Sequence, residues 1–231
     1  MNDVAVSVAL ATAPTSAFVE LRERPRFWFP LLLVVLTTVG LTYWYYSVVD
    51  IDWLKDTMFS NNPDLQALPA DKRDAAMAMF GRGTLLWSSM ISICLAIPIV
   101  FLLEGLYFLV AAKVTKISLG FKHWFVLACW TALPMLLANV VAAIMLILAD
   151  NAQIAPSVLQ PLSLNELVFH VPEGGPGYNL FASLGIPALL SWILMIIGVR
   201  TWSQRSWGFS AFFVLLPWVV IYCLWAFFAF R

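Results

Sequence analysis

Charge is what this sequence has least of. Of its 231 residues, 11% are charged and 62% are hydrophobic, and 13 basic residues balance 13 acidic ones. A water-soluble domain of this length needs far more charge to cover its surface, so the composition places the chain in a membrane. Zero net charge also argues against a nucleic-acid partner, since such proteins carry a basic surface.

Residues that carry chemistry are equally sparse. The three cysteines, Cys94, Cys129 and Cys223, lie in apolar runs and offer no disulfide framework, CxxC pair or metal-ligand spacing. The motifs GxSxG, HExxH, GxGxxG and the P-loop are absent, and no pair of carboxylates falls within an apolar run. The sequence therefore predicts that the protein is not an enzyme and binds no cofactor or metal.

Long apolar runs are what the sequence has in abundance. Each run long enough to cross about 30 Å of hydrocarbon must be helical, because lipid offers no hydrogen-bond partner to the backbone. We therefore predict an all-α membrane protein, a bundle of five transmembrane helices with short interfacial helices. The predicted spans are approximately residues 27–47, 85–111, 123–149, 180–202 and 210–230.

Prolines punctuate four of these spans, and each one removes a backbone hydrogen bond and permits a kink. Kinked helices line substrate sites in some transporters. The sequence shows no inverted repeat, so kinks that serve helix packing are the favoured interpretation. The four residues are Pro98, Pro134, Pro187 and Pro217.

The charges between the spans predict the orientation. Eight basic and three acidic residues lie in the N-terminal tail, the 112–122 loop and the region around 203–209. The opposite side carries five basic and nine acidic residues. The positive-inside rule then predicts a cytoplasmic N-terminus and a C-terminus outside.

The chain outside the spans is predicted to form short helices. We divide it into a cytoplasmic tail, residues 1–26, and a transmembrane domain, residues 27–231. In the tail, Phe18 and Leu21 fall on one face of an interfacial helix that Pro25 ends, although an unstructured basic tail is the alternative. Between the third and fourth spans, Ser163 and Glu166 have the spacing of a capping box.

Glu104 is the one acidic residue within the apolar runs, in the stretch "IVFLLEGLYFL". A carboxylate at that depth is expensive unless it is bonded or used. Uncharged hydrogen-bond donors lie at a matching depth on other spans, and we predict that Glu104 is held by one or more of them inside the bundle. The candidate intramembrane polar site comprises Glu104, Thr131, Ser191, Trp192 and Trp218.

Small residues recur every four positions in the second span, at Ser88, Ser92 and Ala96. Such stripes let helix backbones approach closely. They are the candidate helix-packing residues, either within a hairpin of the second and third spans or against a partner.

The chain resembles bacterial members of the YIP family (Ypt-interacting proteins). The resemblance lies in "PTSAFVELRERPRFWFPLLL", "LYFLVAAKVTKISLGFKHWFVLACWTALPMLLANV", "SLNELVFHV", "GVRTWSQRSWG" and "LLPWVVIYCLWA". It implies a multi-pass protein of the bacterial inner membrane with five spans, a cytoplasmic N-terminus and no known catalytic activity. Some similar bacterial proteins look like accessory subunits of ABC transporters of the macrolide-exporter kind.

Two functions remain open from the sequence. The favoured one is a non-catalytic accessory, assembly or regulatory protein that associates with the lipid bilayer and with other membrane proteins, ABC transporter subunits among them, or with itself. The alternative is a small transporter or channel in which Glu104 is the coupling residue. Fold-level resemblance alone does not decide between them.

Overall fold

The computed structural model describes residues 1–61 and 66–231, and this part of the chain is almost entirely helical. Asp64, one of the acids in the charge count above, falls outside the described residues. The helices are α1 (Asp3–Thr12), α2 (Pro14–Glu23), α3 (Trp28–Val48), α4 (Ile51–Ser60), α5 (Ala70–Met79), α6 (Arg82–Val114), α7 (Phe121–Thr131), α8 (Met135–Ile147), α9 (Tyr178–Ser183), α10 (Ile186–Ser203) and α11 (Trp207–Ala229). A 3₁₀ turn, Pro156–Leu159, and a π-helical turn, Asn165–Phe169, lie between α8 and α9.

Within the described residues, five helical segments are long and apolar enough to cross a membrane, which confirms the predicted fold class. They are α3, α6, the combined stretch Phe121–Ile147, α10 and α11. The chain divides into two compact units. The first comprises Met1–Val35, Leu95–Leu136 and Pro187–Leu224, and the second comprises Leu36–Cys94, Leu137–Ile186 and Trp225–Arg231.

The N-terminal helices belong to the core of the first unit. Phe18 and Leu21 of α2 are fully buried, as the predicted apolar face requires. The indole N–H of Trp202 in α10 donates to the Phe18 carbonyl at 2.7 Å. Gly198, one turn earlier in α10, leaves the space that the Phe18 ring and Leu127 fill, because a Cβ there would overlap both. The helix predicted to lie on headgroups is therefore packed against its own chain.

Ion pairs attach α1 and α2 to the chain segment that enters α3. The Arg26 guanidinium lies 2.7 Å from the Asp3 carboxylate and 3.6 Å from that of Glu20. The Arg26 carbonyl in turn accepts a hydrogen bond from the Trp130 indole at 2.6 Å. Arg26 thus connects the N-terminal helices, the start of the first span and α7.

Pro134 interrupts the third span more strongly than a kink. α7 ends at Thr131 and α8 begins at Met135, with turn residues between them. The amides of Leu133 and Met135 donate to carbonyls three residues earlier, those of Trp130 and Ala132. The segment therefore passes Pro134, which has no amide hydrogen, through tighter backbone turns.

The fourth span begins later than the sequence predicts, at Ile186 instead of residue 180. The predicted run joined two helices, α9 and α10. Between them, the Leu164 amide donates to the Leu184 carbonyl at 2.6 Å and the Ile186 amide to the Leu162 carbonyl at 3.0 Å. A Cβ on Gly185 would overlap the Leu162 carbonyl oxygen. This backbone pairing with residues 162–164 separates α9 from α10. The apolar content of the sequence alone does not reveal it.

The predicted capping box forms only in part. The Glu166 amide donates to the Ser163 hydroxyl at 3.3 Å. The Glu166 carboxylate, however, accepts from the Asn165 amide group at 3.1 Å, and the Ser163 amide donates to the Gln160 carbonyl. The capping box is therefore one-sided.

We expect Trp202→Phe to loosen the N-terminal helices, because it removes the hydrogen bond that joins α10 to the Phe18 carbonyl. Loss of one such hydrogen bond costs about 0.5–1.5 kcal/mol. Limited trypsin digestion of the purified protein should then cut faster at Arg22 and Arg24, and thermal unfolding should begin earlier.

The matched control is Trp207→Phe, because Trp207 is half exposed and its ring stacks with Arg200 instead of donating across the core. Equal tryptic cleavage rates in the two variants would contradict the role assigned to the Trp202 indole.

Candidate functional site

Glu104 lies on α6 beside a close approach of this helix to α7. A Cβ on the adjacent Gly105 would stand 3.1 Å from the Phe121 ring and 3.3 Å from the Phe125 backbone, so the glycine permits the close approach. The carboxylate is close enough to Cys129 on α7 to interact with it electrostatically. Its Oε2 atom is buried and has no hydrogen-bond partner in the part of the chain that the structure describes.

The other members of the predicted polar site have contacts of their own. The Thr131 hydroxyl donates to the Leu127 carbonyl of its own helix at 2.9 Å. Trp192 stacks on Trp218, with ring centroids 5.6 Å apart, and Ser191 is 9% exposed. Among the hydrogen bonds of residues 1–61 and 66–231, none joins any of these four residues to Glu104. The structure brings Trp192 and Trp218 together, and the five-residue site stays a prediction.

A polar contact that the sequence analysis missed lies in the second unit. The Asn139 side chain on α8 donates to the hydroxyls of Thr37 and Thr38 on α3, each at 3.1 Å. Interhelical hydrogen bonds of this kind hold spans together in lipid. The sequence feature that could have revealed this contact is Asn139 itself, an amide side chain in the middle of an apolar run.

The candidate packing residues Ser88, Ser92 and Ala96 are exposed, so the described chain does not cover this stripe. Two of them line a cleft of about 340 Å³ in the second unit, which we call the hydroxyl cleft. Five of its seven lining residues carry a hydroxyl. The lining residues are Thr42, Tyr46, Ser88, Ser89, Ser92, Ile93 and Leu159.

Metal binding finds no support in the described residues, where no group of three or more histidine, cysteine or acidic side chains is placed to hold an ion. Buried Cys129 and exposed Cys94 and Cys223 are all free thiols. The chemistry available within the spans is therefore hydrogen bonding by hydroxyl, indole and amide groups, together with one carboxyl group.

The helices and their polar contacts define a multi-pass membrane protein. The Yip1 domain family model matches residues 8–228, nearly the whole chain, and the protein belongs to this family. The resemblance found in the sequence motifs is thereby confirmed. The matched region begins within α1, and residues of α1 and α2 belong to the hydrophobic core of the first unit. Comparisons with curated proteins and with solved structures returned no match.

Substitutions at Glu104 distinguish a packing role from a chemical one. Glu104→Gln keeps the size and polarity of the side chain, so we expect its stability to stay within about 0.5 kcal/mol of wild type. Glu104→Leu puts a branched apolar side chain beside the close contact at Gly105 and should lower the stability by about 1–3 kcal/mol. Thermal unfolding in lipid nanodiscs measures both.

Equal loss of stability in the two Glu104 variants would contradict a packing role. Equal loss of biological function in two variants that both remain folded would instead assign the carboxyl group a chemical task.

Proposed function

We propose that this protein is a non-catalytic accessory subunit that assembles or regulates another complex in the bacterial inner membrane. The partner that we propose is an ABC transporter of the macrolide-exporter type, which the resemblance to bacterial YIP family proteins implies. Membership of the Yip1 domain family supports a role without catalysis. In this proposal the N-terminus is cytoplasmic, because the basic residues concentrate on that side.

The observation that carries the proposal is the bare surface of α11. Of the residues in its most apolar stretch, 11% are buried, against 17–33% in the other four spans. Its exposed side chains include large aromatic ones, Phe212 at 66%, Phe227 at 59% and Phe228 at 69%. Little of this helix is covered by its own chain.

Aromatic side chains give a bare helix a means of association. In lipid, helices associate through close van der Waals packing and hydrogen bonds, because the hydrophobic effect does not favour one apolar contact over another. Phenylalanine rings are large and have few rotatable bonds, so ordering them in an interface costs little entropy. We therefore place the partner's transmembrane helices against α11.

The cysteines of the chain allow a direct test. Cys223 is exposed on α11, Cys94 is exposed on α6 and Cys129 is buried. In a Cys94→Ser variant, a photoreactive maleimide should modify Cys223. On illumination in native membranes it should then form an adduct that mass spectrometry identifies as an ABC transporter subunit.

The matched control is Cys223→Ser, in which the same reagent modifies Cys94. We expect this variant to give lipid adducts and no transporter adduct. The same protein adducts from both positions, or adducts from Cys223 with lipid alone, would contradict the proposed interface.

The buried and unpartnered Oε2 atom of Glu104 favours the second candidate, a small transporter that uses this carboxyl group for coupling. A pathway through the membrane needs polar groups that follow one another from face to face. Among the described residues, no hydrogen bond joins Glu104 to Thr131, Ser191, Trp192 or Trp218, which disfavours such a path. Under the accessory function, Glu104→Gln in the Cys94→Ser background retains the adduct at Cys223.

A further inference from the structure

The hydroxyl cleft contains a threonine that departs from the usual behaviour of hydroxyls in these helices. Thr115, Thr131 and Thr201 each donate to the carbonyl four residues earlier, which satisfies the hydroxyl within its own helix. Thr42 is 4% exposed and lines the cleft. Among the described residues its hydroxyl has no hydrogen-bond partner. The Thr42 hydroxyl is therefore available to a group that enters the cleft.

Two more donors are available in the cleft. The Ser89 hydroxyl donates to the Tyr46 phenol oxygen at 3.2 Å, so the phenol keeps its own proton to donate elsewhere. Ser92 is exposed, and within the described part of the chain its hydroxyl is not bonded. Thr42, Tyr46 and Ser92 therefore offer three O–H donors to an acceptor that enters the cleft.

A cation contacts the backbone of Tyr46, one of the residues that line the cleft. The Arg82 guanidinium donates to the carbonyls of Tyr46 and Val49, the latter at 3.0 Å, and Tyr46 also lines the cleft. No acidic side chain pairs with Arg82 in the part of the chain that the structure describes. A guanidinium has five N–H donors, so this one keeps donors and a full charge for an external anion.

Along α6, the polar groups come before the apolar surface. Arg82 is at the helix start, and Ser88 and Ser92 follow about 9 and 15 Å further along the axis. Beyond them the exposed surface is apolar, with Leu95 at 58% and Ile99 at 50%. From the membrane surface inwards the chain thus presents a cation, a set of hydroxyl donors and a hydrocarbon face.

We propose that the hydroxyl cleft binds one phospholipid of the surrounding leaflet. Its phosphate lies at Arg82, its glycerol ester carbonyls accept hydrogen bonds from Thr42, Tyr46 and Ser92, and its acyl chains follow the apolar face of α6. The cleft of about 340 Å³ has the volume of roughly eleven water molecules. That space suits a glycerol with two ester groups and leaves the chains outside.

Native mass spectrometry of the purified full-length protein tests the site with three probes of one chain length. These are a diester phosphatidylglycerol, its diether analogue without ester carbonyls, and a diacylglycerol without phosphate. Wild type should bind the diester lipid about fivefold more tightly than the diether, the effect of roughly one hydrogen bond. It should bind the diacylglycerol more weakly than the diester phospholipid.

Variants assign the two recognition elements separately. Thr42→Val keeps the side-chain shape and should remove the preference for diester over diether, and Ser92→Ala should reduce it. Arg82→Gln should weaken both phospholipids and leave diacylglycerol unchanged. Thr201→Val is the matched control, because that hydroxyl is bonded to Ile197 in the first unit and lies outside the cleft. Thermal unfolding confirms that each variant is folded.

Two results would overturn the proposal. In the first, wild type binds the diester and diether lipids equally tightly, and Thr42→Val leaves both affinities unchanged. This result would mean that the lipid contact is non-specific. The other is a Thr42→Val variant that shifts the ratio of monomer to dimer while lipid binding stays constant, since this would assign the cleft to a second copy of the chain. Neither result depends on the accessory function or on the α11 interface.

Discussion

A polar group in hydrocarbon must find its partner inside the protein, and this constraint accounts for most of the structure. It makes every span helical. It also explains the hydroxyls of Thr131 and Thr201, which return to their own helix, and the Asn139 amide, which joins α8 to α3. The described chain leaves two polar groups unbonded, the buried Oε2 atom of Glu104 and the hydroxyl of Thr42, which lines the cleft. The same constraint draws attention to what else could bind there.

Near the N-terminus, indole N–H groups donate hydrogen bonds to backbone carbonyls. Phe18 lies in the middle of α2, and Arg26 lies in the segment between α2 and α3. Trp202 bonds to the Phe18 carbonyl in α2, and Trp130 bonds to the Arg26 carbonyl just before α3 begins. A long side chain with one donor reaches across the core to these carbonyls. The N-terminal segment also buries Val6, Leu10 and Leu21, and it is part of the core of the first unit.

Much of this fold follows from local pattern, and the rest depends on distant contacts. Length and hydropathy predict the spans, and the spacing of Phe18 and Leu21 predicts the helix Pro14–Glu23. The start of α10 depends instead on Gly185 facing the Leu162 carbonyl, a pairing between segments that hydropathy cannot show. The Glu104 site was predicted from matching depth alone. Depth does not tell which face of a helix a residue occupies, so Thr131 and Trp192 have other neighbours.

We infer that the Thr42 hydroxyl, which its own chain leaves unbonded, marks a binding site. The most direct measurement is an experimental structure determined in a bilayer or lipid mesophase that contains diester phospholipid. We expect an ester oxygen within hydrogen-bond distance of the Thr42 hydroxyl and a phosphate beside Arg82. A Thr42 hydroxyl that donates to the Thr38 carbonyl, above a cleft that holds only acyl chains, would contradict it.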